Sequence, residues 1–309
     1  MKHYDLNVKE HGFYGVYYPC EQDTVHAMIL MLGDSSDDLL ARTGARWVHD
    51  QGAAALCMSP AKKDYGHHSY PLERFGKAIQ YLKHLGYEKI GIAGASTTGM
   101  MALLAASYYP EITLTIAMTP PDFVMEGFYR DKKDGADERP GDFESSVTWE
   151  GRPLPFLPYA YRHPEYWQMI QKETKETGNM TACRNLFDES ERRHPVQEEE
   201  KIPIERIRGE LVLIGAEDDA LWDTCRYIRR MQERLSEREH ECRCTALLYE
   251  HGTHFVFPEG LLKKVLPFGD SALISLCFKA AKEYPRECLE TRKDIDAKLK
   301  EKIASWKNA

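Results

Sequence analysis

One serine stands where a nucleophile would have to stand. The stretch KIGIAGASTTGMMALLAAS, residues 89–107, runs an apolar strand-like segment into Gly94-Ala95-Ser96-Thr97-Thr98-Gly99 and at once into a helix of small and apolar residues. A serine on so sharp a strand-to-helix turn presents its hydroxyl clear of the sheet, and small residues two places to either side allow the turn. The start of the following helix brings backbone N–H groups to a neighbouring anion. Gly94 fills the position before the serine. The position two after it holds Thr98, where the usual pattern has glycine, and Gly99 follows one place late. Serine is also a favoured helix N-cap, so the motif alone leaves Ser96 two readings: nucleophile or cap.

A serine hydroxyl needs a base, and an imidazole base needs a carboxylate to fix its tautomer. Acid candidates cluster in LVLIGAEDDALW, residues 211–222. Asp219 is preferred because it opens the segment leading into the next helix, with Asp218 as the alternative. Charges that complement a helix dipole would explain the same cluster. Base candidates lie in LLYEHGTHFVFP, residues 247–258, where His254 is preferred over His251 because an apolar segment follows it directly. The 35 residues from Asp219 to His254 fit one helix and one strand. An oxyanion hole needs two backbone N–H groups. Thr97 is expected to give one, and Asp34 or Ser35, in Gly33-Asp34-Ser35-Ser36, the other.

Such residues must be carried by rigid elements, and the chain supplies an alternating set. Strands are expected over 12–18 (an edge strand), 25–32, 53–58, 89–95, 112–118, 210–215 and 245–249. Helices are expected over 39–50, 71–85, 97–108, 223–236, 270–283 and 287–307. Strands separated by helices imply βαβ units and a mostly parallel central sheet flanked by helices, with ligands at the carboxyl ends of the strands. The order Ser, Asp, His along the chain is that of an α/β-hydrolase fold. The rhythm breaks at Thr119-Pro120-Pro121. Residues 120–205 are read as an excursion inserted within one domain spanning 1–309, with helices near 165–175 and 180–190 and a cap-like place over the sheet edge. Trp149, Phe156, Tyr159, Tyr161, Tyr166 and Trp167 argue against a disordered linker there. The Lys- and Glu-rich stretch 287–307 is read as a helix with a solvated face.

With 309 residues the chain can bury a core without staples. A formal charge of −8 disfavours nucleic-acid binding, which requires basic surface. No apolar run reaches ~18 residues, so no membrane span is expected, and the N-terminus has no apolar core of a signal peptide. Eight scattered cysteines suit reduced thiols in a cytoplasmic protein. His251 and His254 lack further metal-ligand partners, so neither a metal nor another cofactor is expected.

Taken together, the segments GDSSDDLLAR (33–42), GASTTG (94–99), TWEGRPLPFLP (148–158), IPIERIRGELVLIGAEDDALW (202–222) and GTHFVFP (252–258) resemble the C-terminal catalytic domain of the acyl-CoA thioesterase / bile-acid-CoA:amino-acid N-acyltransferase family, itself related to dienelactone hydrolases. The resemblance runs from about residue 25 to the histidine segment. It implies Ser96 as nucleophile, Asp219 as acid and His254 as base. The family's larger members carry an N-terminal immunoglobulin-like β-domain, which the 24 residues before Val25 are too few to form. Asp34-Ser35-Ser36-Asp37 replaces the family's glycine-rich oxyanion loop, and Thr98 replaces the elbow glycine. The amino-acid-transferring branch uses cysteine as nucleophile, so serine implies the hydrolytic branch. The expected activity is cleavage of a small-molecule acyl ester or thioester, with acyl-CoA as one candidate donor. Alternatives are another hydrolase on this fold (dienelactone-type, esterase or peptidase), an acyltransferase, and a non-catalytic binding protein.

Overall fold

The computed structural model of the chain describes the backbone of residues 1–20, 24–32, 36–58, 65–130, 143–162, 164–265 and 270–309, with side chains except at 65–67, 128–130 and 270–272. The chain opens with β1 (Tyr4–Leu6), α1 (Val8–His11) and β2 (Gly15–Tyr18). It continues through β3 (His26–Met31), α2 (Leu39–His49), β4 (Ala54–Met58), the short strands β5 (Tyr65–His67) and β6 (Tyr70–Pro71), and α3 (Glu73–His84). β7 (Lys89–Ala95), α4 (Thr97–Tyr108) and β8 (Ile112–Met118) follow. Then come β9 (Phe128–Arg130), β10 (Val147–Trp149), β11 (Arg152–Pro153), α5 (Glu165–Thr177) and α6 (Arg184–Arg193). The last part holds β12 (Arg208–Ala216), α7 (Thr224–Glu237), β13 (Glu241–Tyr249), α8 (Glu259–Val265), α9 (Asp270–Cys277), α10 (Lys279–Glu283) and α11 (Pro285–Asn308).

Eight strands form the central sheet in the order β1-β2-β4-β3-β7-β8-β12-β13. The pairs β1–β2 and β2–β4 are antiparallel, and the other neighbours are parallel. This is the α/β-hydrolase architecture that the strand and helix alternation predicts. Parallel strands covered on both faces read as unbroken apolar runs, and β3, β4 and β7 do so. Along β3, Ala27, Ile29 and Met31 join one core, while Met28 and Leu30 join the other. The first core lies under α3, α4 and α7 and the second under α2, α8 and α11. Helix α4 is buried from Thr97 to Ser107, which is why its sequence is apolar all round. Helix α11 buries Cys288, Ile295, Leu299, Ile303 and Trp306 and turns its lysines and glutamates outward.

Two expectations about elements need correction. The edge strand expected over 12–18 starts at Gly15, because Gly12 (φ 83) ends α1, and it lies between two neighbours; β1 takes the edge on that side. Three residues are too few for an alternating pattern to reveal β1. The helix expected over 270–283 is two helices divided at Phe278, which is extended and sets its ring 5.2 Å from Phe255. Helix α8 was not expected.

The segment expected as an excursion, residues 120–205, has its two ends joined by backbone hydrogen bonds. Ile202 N–H donates to the Asp122 carbonyl at 3.0 Å, and Val124 N–H donates to Glu200 at 2.9 Å. Its strand β10 pairs in parallel with β6, and β9 pairs with β5, so the segment before α3 anchors it. Of the aromatics named for that stretch, Tyr159 and Tyr166 are buried, while Trp149, Phe156, Tyr161 and Trp167 pack half-buried against the core; Trp149 sits 4.6 Å from the ring of Tyr108. The acidic and basic stretch 131–142 lies outside the described residues.

Candidate active site

β7 delivers Ser96 to the carboxyl edge of the sheet. Its N–H donates to the Met118 carbonyl at 2.8 Å, and its backbone then turns to φ 62, ψ −130. A residue with a Cβ held in such a region costs about 1–3 kcal/mol, and such strain clusters at functional sites. Ser96 occupies the N-cap position of α4, yet its side chain makes no capping hydrogen bond. The cap reading of this serine therefore does not hold. The turn is tight enough to require glycine on one side: a Cβ on Gly94 would lie 2.1 Å from the Thr98 carbonyl oxygen.

Thr98 stands in place of the second glycine. Its hydroxyl sits 2.5 Å from the Met31 carbonyl and 2.7 Å from the Ala95 carbonyl, and it accepts the Ala95 N–H at 3.0 Å. The threonine thus ties the elbow to the end of β3. Sequence pattern marked it only as a departure; this bracing role requires the neighbouring strand to be known.

The acid and base candidates resolve into two pairs. His254 Nδ1 lies 2.9 and 2.8 Å from the two carboxylate oxygens of Asp219, and both side chains are buried. The Asp219 carboxylate also accepts the Leu221 N–H at 2.9 Å and the Thr224 hydroxyl. The helix-start role belongs to another residue: Asp223 caps α7 by accepting the Arg226 N–H at 3.1 Å. The alternatives pair with each other, His251 Nδ1 lying 2.9 Å from Asp218 Oδ2. That outer pair is part-exposed, and Tyr284 stacks on its imidazole at 3.8 Å. With Nδ1 engaged by Asp219, Nε2 of His254 is the free nitrogen; it is buried and has no hydrogen-bond partner among the described residues.

Strand order sets these groups along one edge of the sheet. Ser96, Asp219 and His254 follow β7, β12 and β13, and β8 alone separates the first two strands. Neighbouring strands lie about 4.8 Å apart. Thr119, at the end of β8 with φ 46, ties the acid and base arms together. Its N–H donates to Ile214 at 2.7 Å, its hydroxyl to the His254 carbonyl at 3.3 Å, and its own carbonyl accepts Trp222 Nε1 at 3.1 Å. The Trp222 ring stands edge-on to His254 at 4.8 Å, and Phe255 flanks the imidazole on another side. Sequence reading saw Thr119 only as the point where the strand rhythm stops.

Thr97, expected as an oxyanion donor, is buried and opens α4 beside Ser96. The other expected donors, Asp34 and Ser35, lie outside the described residues. Among the described residues there is no cluster of three or more metal-ligating side chains, and no helix is long and apolar enough to cross a membrane. All eight cysteines are free.

Residues 70–259 match the family described as BAAT / acyl-CoA thioester hydrolase C terminal. The chain belongs to that family. Ser96, Asp219 and His254 all fall inside the matched residues of this family member, whereas β3 and the 33–37 segment lie before them. No curated protein matches the sequence. Among solved structures, the fold is similar to that of an esterase from Pyrobaculum calidifontis. Identity is 14%, the TM-score is 0.54, and 100% of this chain and 86% of the other are covered. An esterase from Pyrococcus furiosus is similar at 15% identity and TM-score 0.49, covering 88% of each chain. A 2,6-dihydroxy-pseudo-oxynicotine hydrolase matches at 14% identity and TM-score 0.46, covering 89% of this chain and 68% of the other.

Proposed function

We propose that this family member is a serine hydrolase that cleaves an acyl thioester or ester through an acyl-enzyme. One observation carries the reading: Ser96 sits at φ 62, ψ −130 at the end of β7 with its hydroxyl not spent on capping α4. The buried Asp219–His254 pair on the same sheet edge supports it. In the proposed cycle the Ser96 hydroxyl attacks the acyl carbonyl carbon while His254 Nε2 takes its proton. Asp219 holds the Nδ1 tautomer and stabilises the imidazolium. The Thr97 backbone N–H, next to the nucleophile, is one donor to the oxyanion. Collapse expels the thiol or alcohol, protonated by His254. Water, deprotonated by the same imidazole, then attacks the Ser96 ester and releases the carboxylic acid. Family membership favours acyl-CoA as the donor.

The test is turnover of short-, medium- and long-chain acyl-CoAs and p-nitrophenyl esters, with Ser96→Ala as control. The proposal expects turnover that Ser96→Ala abolishes, with a thioester among the preferred donors. Ester turnover without thioester turnover would overturn the thioester part. A folded protein with no turnover on any donor, or turnover that survives Ser96→Ala, would overturn the serine mechanism.

A further inference from the structure

The turn that carries Asp219 offers a row of backbone carbonyls, and the excursion takes four of them. Arg184 Nη1 donates to the carbonyls of Glu217 at 3.2 Å and Asp219 at 3.3 Å. The preceding residue takes the next two: Cys183 N–H donates to Ala220 and the Cys183 thiol to Leu221, each at 3.2 Å. Burial, with Glu173 and Asp219 nearby, pushes this thiol well above its ordinary range, so it remains a neutral donor. The second arm of the Arg184 guanidinium pairs with Asp223 at 2.6 Å, at the start of α7. The Asp219 turn is therefore gripped along its length by Cys183 and Arg184.

The grip is itself held by α5. The Glu173 carboxylate accepts the Asn185 N–H at 3.1 Å, and the Thr174 hydroxyl accepts the Ala182 N–H at 2.9 Å. The same connection reaches behind the histidine. Met180 N–H donates to Cys277 at 2.6 Å, and Asn179 accepts the Lys279 N–H at 3.0 Å. Between those two residues stands Phe278, whose ring packs on Phe255 beside His254. One short connection thus touches both the acid arm and the segment supporting the base arm.

We propose that Arg184 is a positioning residue for the reaction, and that the α5–α6 connection, residues 178–183, together with Arg184 makes the excursion set the alignment of Asp219 with His254. This rests on the proposed serine mechanism. A guanidinium planar fork suits the role, since it can hold two carbonyls and a carboxylate at once. Displacing a positioned group by about 1 Å costs on the order of 100-fold in rate. The consequence falls on the chemical step, because Arg184 acts through the acid turn and not on the acyl donor.

The experiment compares Arg184→Met and Arg184→Lys with the parent chain on a short p-nitrophenyl ester, with Ser96→Ala and Asp219→Asn alongside. Arg184→Met is expected to lower kcat by about 10–100-fold with KM within about twofold. Arg184→Lys, which keeps a charge for Asp223 and one donor but not the fork that also reaches two carbonyls, should recover part of the loss. Unchanged kcat in Arg184→Met, or a rise confined to KM, would overturn the proposal. So would a loss that Lys does not relieve, since a positioned cation would no longer be what matters. Should Arg184→Met fail to fold, Asp223→Asn keeps the α7 cap acceptor and removes the carboxylate charge paired with Arg184, and a kcat loss is expected there too; unchanged kcat in that variant would overturn the proposal equally. If Ser96→Ala retains turnover, the serine mechanism falls; if it is inactive while Arg184→Met is unaffected, only the positioning role falls.

Discussion

The hydroxyl of Thr98 lies 2.5 Å from the carbonyl of Met31, joining the turn after β7 to the end of β3. An elbow with glycine at that position has no such bond. The buried hydroxyl also accepts from and lies close to the Ala95 backbone, so its loss leaves the Ala95 N–H without this acceptor. Thr98→Val should lower stability by about 1–3 kcal/mol and reduce turnover, while Thr98→Ser stays close to the parent. Urea midpoints and kcat on one ester measure both. A Thr98→Val protein as stable and active as the parent would show the bracing to be dispensable.

The two histidine–aspartate pairs separate by mutation. His254 is buried against Asp219, whereas His251 is part-exposed with Asp218 and stacked on Tyr284. His254→Ala should lose at least about 1000-fold in kcat, as when one member of a nucleophile–base unit is removed. His251→Ala should remain within about threefold of the parent, as expected for a group outside the chemical unit. The reverse order of sensitivity would transfer the base role to the outer pair.

Stability where the ends of the 120–205 segment meet depends on a buried ion pair. Asp122, just past Pro121, accepts two hydrogen bonds from Arg230 at 2.8 and 2.5 Å, and Arg230 also meets Glu191 at 2.5 Å. Removing the cation strands a buried carboxylate, which costs about 3–5 kcal/mol. Arg230→Met should show that loss in urea unfolding. A change of less than about 1 kcal/mol, the worth of an exposed pair, would mean that water or a rearranged partner satisfies Asp122.

Glu198 predicts the acid limb of stability. Burial raises its carboxyl, but hydrogen bonds from Arg234 and Lys201 outweigh this and hold it down at about 2. A depressed carboxyl contributes fully above the ordinary glutamate value of about 4.3 and loses that contribution as pH falls toward the folded value. Glu198 is about half exposed, so its share at neutral pH is at most about 1 kcal/mol. Glu198→Gln should therefore differ slightly from the parent at pH 7 and converge with it near about pH 2. A gap that widened with acid would contradict the assignment.

Much of the scaffold can be read from the residues because its elements are long and their periods clear. β7, α4 and β8 have the bounds that the apolar runs predict. Asp219 pairs with His254 and Asp218 with His251, and of the two pairs only the first is buried. What escaped the sequence depends on contacts between distant segments. Thr98 reads as a flaw until Met31 is beside it; Thr119 reads as a strand end until Ile214, Trp222 and His254 surround it. Arg184 lies in a polar stretch with no motif, and its partners are backbone carbonyls more than thirty residues away. Backbone acceptors leave no mark in side-chain pattern.

The central claim is that Ser96 is the nucleophile, and a fluorophosphonate tests it most directly. The protein is treated with the reagent, its intact mass recorded and the modified peptide mapped. The account predicts a single adduct on Ser96, absent in Ser96→Ala and formed far more slowly in His254→Ala. A folded protein that hydrolyses an ester yet takes up no label, or carries it on another residue, would contradict the account.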